Sequence, residues 1–224
     1  MASIRSKAQL LEELRDEQAG WEALLQDIGE EHMTQPGVAG EWSIKDVVAH
    51  LTFWRQRTVA RFQAALHGAP LPPQSWPAEL GTEADLDAWD DIATDKVNAW
   101  NYANNRDRPL ADVLRDSRAV FDQLLAAVAA FPEADLLNPA RFPWISAEEF
   151  PLTGALFFGH FHDEHEPDMR AWLERIRQQE KREREPGSVR RLLAVMRALS
   201  HDADGEDRRI PVWQCQRQHA DDEG

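Results

Sequence analysis

An all-α four-helix bundle is the fold class this sequence predicts, on three observations. Four long segments carry apolar residues at helical spacing, Ser, Gly or Pro signals bound them, and no stretch alternates apolar and polar residues as a half-buried strand does. Of the 224 residues 42% are hydrophobic, nine Trp among them, so four apolar faces can cover one another in one core.

The elements follow in order. Ser6 and Gln9 read as a capping box, and Leu10, Leu14, Trp21, Leu25 and Ile28 then recur on one face, which predicts a first helix over about 7–32. Pro36, Gly37 and Gly40 break it. Ser43 with Asp46 three residues on, and Trp42 placed to pack on Val47, start a second helix over 43–67 whose face is Ile44, Val47, Val48, Leu51, Trp54, Thr58, Phe62 and Leu66. His67-Gly68 and the prolines from Pro70 to Pro77 end it. From Ala69 to about Ala93 the connection exceeds the ~2–8 residues a bundle needs, so it is either a lid or wall of a pocket or a passive surface loop. Val97, Trp100 and Tyr102 suit a helical lead-in, and Pro109 suits the first turn of a third helix over 109–130. A fourth spans 152–183, with Pro167 inside it and Pro186-Gly187 as its stop. Residues 1–186 thus make the bundle. Residues 187–224 form an extension, a short amphipathic stretch from Ser188 to Ser200 and then a polar tail with a disordered composition.

Charge narrows the partners. Asp plus Glu number 40 against 25 Lys plus Arg, a formal net charge of -15 that repels polyanions, so no nucleic acid is expected. No apolar run approaches the ~20 residues of a membrane span and the N-terminus lacks an apolar leader core, so the expectation is a cytoplasmic chain with no membrane partner. The single Cys215 sits in the polar tail, where a free thiol without a special role is the ordinary reading.

Chemistry points to histidine. Three of the eight His crowd into Phe158 to Glu166, and a rotation of ~100° per residue puts His162 and His165 on the inward side with Phe158, Met169 and Leu173 and leaves His160 nearly opposite. Two inward imidazoles three apart can share a metal or be hydrogen-bonded core residues, and the spacing does not choose. His50, at the flank of the second helix's face, is the third candidate. Imidazole nitrogen suits zinc or nickel, and Asp163 and Glu164 rotate away from the interior. Trp54, Trp100, Phe158 and Trp172 are candidates for the walls of a substrate pocket, with plain core as the alternative. The acids Asp85, Asp87, Asp90 and Asp91 and the basic run Arg175 to Arg191 read as solvated faces. No P-loop, dinucleotide motif, nucleophile elbow or paired-Cys spacing is present.

Three stretches resemble a known family. Gly40-Glu41-Trp42-Ser43-Ile44-Lys45-Asp46-Val47-Val48-Ala49-His50-Leu51 is similar to the start of the second helix in DinB-like proteins. Asn104-Asn105-Arg106-Asp107-Arg108-Pro109-Leu110 and Glu164-His165-Glu166-Pro167-Asp168-Met169-Arg170-Ala171-Trp172-Leu173 resemble segments of its ClbS/DfsB branch. The resemblance, over roughly Ser6 to Arg177, implies an up-down-down-up bundle and a divalent ion held by one His of helix two and two of the last helix. Carried over by position, His50 and His165 match, while the remaining ligand position is Phe161 and His162 is the imidazole that can take its place. The resemblance further implies a metal-dependent enzyme modifying a small molecule, of hydrolase or thiol-transferase type, with a low-molecular-weight thiol as a possible co-reactant; independently of it, a homodimer is a possible assembly. Relatives also include metal-free resistance proteins of ClbS type, so the alternative is a non-catalytic small-molecule binder. A third reading is an interaction protein whose histidines are structural.

Overall fold

The computed structural model describes residues 6–87, 91–145, 150 and 152–184. The expected C-terminal extension lies outside the described residues. Helix α1, Lys7–Ile28, is capped by Ser6, whose side chain accepts from the Gln9 backbone N–H. It stops short of the expected end at residue 32 because Gly29 takes φ 79°, which only glycine adopts freely, and a series of turns follows. The segment read as a loop contains a minimal antiparallel ribbon, β1 (Pro36–Ala39) with β2 (Trp42–Ser43), too short to leave a period-two signal.

Helix α2, Ile44–His67, begins on a complete capping box: the Asp46 N–H donates to Ser43 Oγ at 3.3 Å, and the Ser43 N–H and hydroxyl donate to the Asp46 carboxylate at 2.9 and 2.6 Å. Gly68 ends it in the left-handed region at φ 62°. Both capping residues of the box are buried, so Ser43→Ala should cost about 1–2 kcal/mol of unfolding free energy, and Ser6→Ala, at a half-buried cap, about 0.5–1 kcal/mol. Urea titration of both variants checks this; equal effects would show that burial of the box adds nothing.

After α2 the chain runs through a 3-10 turn at Ala78–Leu80, helix α3 (Glu83–Asp87) and helix α4 (Asp91–Asn105). This long connection is packed. Trp76, Leu86, Ala93 and Val97 form a second small core against Phe53, Trp54, Leu80 and Trp100. Arg57 and Arg61 of α2 reach Glu83 and Asp87 of α3 at 2.5–3.0 Å, so Asp87 pairs with arginine where a solvated face was expected.

Helix α5, Leu110–Ala130, follows Pro109, and α6 (Glu133–Leu136) and a 3-10 turn at Pro139–Arg141 lead to α7 (Gly154–His160). A π turn over Phe161–His165 joins α7 to α8, Glu166–Arg184. Lys45 at the start of α2 donates to the Arg106 and Arg108 carbonyls just before α5, and Phe62 near the end of α2 packs on Phe131 just after α5, so these two helices run parallel. Lys7 of α1 instead donates to the carbonyls of Ala129 and Phe131, and Arg118 meets Glu22, so α1 and α5 are antiparallel. His162 meets Glu17 and Arg177 meets Asp27, so α7–α8 runs parallel to α1. Up-down-down-up is the resulting order, with one core from Leu10 and Trp21 through Ile44, Phe62 and Leu124 to Phe158 and Trp172.

Candidate metal centre

Three imidazoles converge at one end of the bundle. His50 and His160 bring their Nε2 atoms to 3.0 Å, and His165 Nε2 lies 3.2 Å from the same His160 nitrogen. One ligand nitrogen from each of the three residues can be chosen so that all lie within 4.8 Å of one another. His50 is buried, His165 half-buried and His160 exposed, so the cluster sits at a rim with one side toward solvent.

The backbone explains the grouping. The Glu166 N–H bonds the Phe161 carbonyl, five residues back, where an α-helix would use the fourth. Pro167 has no N–H for the Asp163 carbonyl, and its ring would press on that carbonyl in a regular helix, so the wider turn falls where the α-helical ladder is already broken. In a π turn residues five apart return to the same side, which brings His160 over His165. A uniform α rotation gave the opposite answer for two residues. His160, expected outside, is in the cluster, and His162, expected inside, points to α1 and the next turn of α8.

His162 makes a different structure. Its Nε2 lies 2.8 Å from Glu17 and its Nδ1 2.6 Å from Glu166, which also holds Arg170. Burial works against the charged imidazole, but the hydrogen bonds to Glu166 and Glu17 outweigh it and raise its pKa. A raised pKa gives stability that is fully present below the unfolded value near 6.5 and is lost as pH rises through the folded value. The side chain is 38% exposed, so solvent screens much of this. His162→Gln should therefore destabilise by about 0.5–1 kcal/mol at pH 6 and by less at pH 8.5, read from chemical unfolding at both pH values; a constant difference would contradict the ion-pair account.

Burial, followed by the neighbouring charges of His165 and His160, holds the His50 pKa well below the usual imidazole range. Burial and then His160 push His165 down to about 3. At neutral pH both rings are therefore uncharged and offer lone pairs, the form a metal requires. A tetrahedral ion with metal–nitrogen bonds of ~2.0–2.1 Å has ligand nitrogens about 3.3 Å apart, close to the two Nε2 separations here. Three neutral rings alone satisfy these contacts poorly, because the shared His160 Nε2 carries either one hydrogen or one lone pair. The donor set and spacing fit a divalent cation. Among the described residues His50 Nδ1 is buried without a hydrogen-bond partner, a departure from the usual support of a ligating imidazole by a second hydrogen bond.

Aromatic rings stand beside His50. Trp42 meets it edge-on at 5.3 Å and itself stacks on Tyr102 of α4 at 5.5 Å and 4°. Trp54 lies at 6.4 Å and donates to Asn98 Oδ1. Of the expected pocket walls, Trp54 and Trp100 are half-buried in or beside the second core, while Phe158 and Trp172, at 0% and 2% exposure, are core residues. Trp42, which the sequence marks only as a staple partner for Val47, is a neighbour of His50, and Tyr102 reaches the site through it. Asp163 and Glu164 are exposed and take no part in the cluster, as their rotation predicted. The segment Asn104 to Leu110 positions rather than reacts: Asn105 bonds Asn101 and Arg108, and the turn it forms receives Lys45.

The profile of the DinB superfamily matches residues 13–166, well over half of the chain and spanning all three histidines. The chain belongs to the DinB superfamily. No curated protein and no solved structure matches it. Within this DinB-superfamily bundle, no helix among the described residues is long and apolar enough to cross a membrane.

Proposed function

We propose that the protein is a metal-dependent enzyme modifying a small molecule, of hydrolase or thiol-transferase type, with His50, His160 and His165 as ligands of a divalent ion. The convergence of three imidazoles, one from α2 and two from the α7–π-turn segment far along the chain, carries this reading. Zinc or nickel is the expected metal because imidazole nitrogen suits both. A bound ion with three protein ligands supplies Lewis acidity and keeps a position for substrate or a low-molecular-weight thiol.

The chain's own groups have definite tasks. Burial keeps His50 and His165 neutral, and the exposed His160 leaves the approach open on its side. Trp42, backed by Tyr102, limits water beside His50 and offers an apolar surface to an organic substrate. The acidic balance of the chain supports a small-molecule partner over nucleic acid.

One observation favours a second reading. The orphaned Nδ1 of His50 is the weakest feature of the site as a metal centre, and it fits a metal-free small-molecule binding or resistance protein of the ClbS/DfsB kind. Elemental analysis of tag-free protein grown with zinc and nickel separates the two. About one equivalent of metal per chain is expected; metal far below one equivalent after both supplements would leave the second reading standing.

A further inference from the structure

Arg55 lies five residues beyond His50 on α2, a rise of about 7.5 Å into the bundle. It is 6% exposed, and no described residue forms a hydrogen bond or an ion pair with its guanidinium. Nε is sealed from solvent without an acceptor. The charged group instead meets a ring: its central carbon stands 4.7 Å from the centroid of Phe158, two residues before His160 on α7. Burial draws the Arg55 pKa down to about 10, which still leaves it charged at neutral pH.

The other buried arginine shows the contrast. Arg61, 4% exposed on the same helix, reaches both Glu83 and Asp87. An ion pair therefore balances the Arg61 charge, whereas among the described residues Arg55 meets an aromatic ring and no carboxylate. Buried charges are ordinarily paired, because a ring offsets only part of the lost hydration. The ring accepts none of the in-plane N–H bonds that a planar carboxylate takes in a two-pronged pair, and among the described residues no acceptor takes them either.

We infer that Arg55 is the anion-binding residue of an interior subsite and that the ligand is a small organic acid with an apolar body, its carboxylate on the guanidinium edge and its other end toward the three histidines. The placement of that other end rests on the metal-centre reading; the capture of the carboxylate does not. The substrate class becomes a carboxylic acid whose reacting group lies several bonds from its carboxylate, since Arg55 stands about 7.5 Å along α2 from His50.

Isothermal titration with phenylacetate, with its neutral counterpart phenylacetamide as control, tests this on the full chain. The wild type should bind the acid and not the amide. Arg55→Met, which keeps an unbranched side chain in the core, should lose the acid entirely, and Arg55→Lys should weaken it by about tenfold, because an ammonium lacks the planar fork. Arg118→Gln, at an exposed position on α5 outside both sites, should retain the acid within about threefold of the wild type. Arg55→Lys also serves if Arg55→Met does not fold. Equal binding of acid and amide by the wild type, or undiminished acid binding by Arg55→Met or Arg55→Lys, overturns the inference, as does an equal loss of the acid in Arg118→Gln, which would show a general charge effect in place of a site. Arg55-dependent binding in a protein that takes up no zinc or nickel would uphold the subsite and remove the metal centre.

Discussion

His160→Ala and His165→Ala should each lose stoichiometric zinc, and His162→Ala should keep it. The three residues lie within one short stretch of sequence, so composition treats them alike. The π turn separates them: His160 and His165 stand at 3.2 Å through their Nε2 atoms, whereas both nitrogens of His162 are committed to carboxylates of Glu17 and Glu166. Loss of a ligand from a three-His site should weaken binding more than the 10–100-fold that attends removal of a supporting hydrogen bond, so we expect at least about a hundredfold. Metal per chain after dialysis against a weak chelator reads this directly. Loss of metal in His162→Ala with retention in His160→Ala would reverse the assignment and restore the α-helical register as the relevant one.

Acid should destabilise the metal-free protein through the same cluster. A folded pKa below the unfolded value near 6.5 means that, as pH falls under 6.5, the unfolded chain takes up protons that folded His50 and His165 refuse. Stability is therefore complete above about pH 6.5 and declines with falling pH, at ~1.4 kcal/mol per pH unit per histidine, until the folded value is reached. With His165 at about 3, its share at pH 5 is about 2 kcal/mol, and His50 adds in the same direction. The His162 pair works the other way, since its raised pKa favours the folded state on mild acidification. The clean comparison is the wild type against His165→Asn, unfolded by urea at pH 7.5 and pH 5 after metal removal. The variant should lose about 2 kcal/mol less than the wild type over that interval; equal losses would show that His165 is not held neutral by the fold.

Much of the scaffold was legible because its signals are local. Ser43 and Asp46 announced α2 within a residue of its true start, and Gly68 its end, since a capping box and a left-handed glycine are fixed by a few neighbouring residues. Gly29 carried the same kind of signal for α1 and was overridden by the apparent run to His32. The long connection was recognised as excess chain, but its own core of Trp76, Leu86, Ala93 and Val97 depends on Phe53 and Trp54 from another element, which periodicity along one segment does not reveal.

The site was half legible for a similar reason. His50 and His165 were found, by family resemblance and by helical rotation. The exchange of His162 for His160 arose at one backbone hydrogen bond, from Glu166 to Phe161, that changes the residues per turn without changing the apolar pattern on either side. Pro167 was the available clue: it marked a break close to His165, and a rotation counted separately before and after that break would have left His160 open as a candidate. Arg55 gave no sign in sequence, because an arginine on an apolar helix face usually reaches a carboxylate, and only the tertiary structure shows that it does not.

The central claim is that one divalent ion is held by His50, His160 and His165. Anomalous scattering at the zinc edge from crystals of zinc-loaded protein tests it most directly. The account predicts a single strong peak with three imidazole Nε2 atoms, one from each of these residues, at about 2.0–2.1 Å. A peak instead between His162, Glu17 and Glu166, or no ordered zinc near His50, would contradict it.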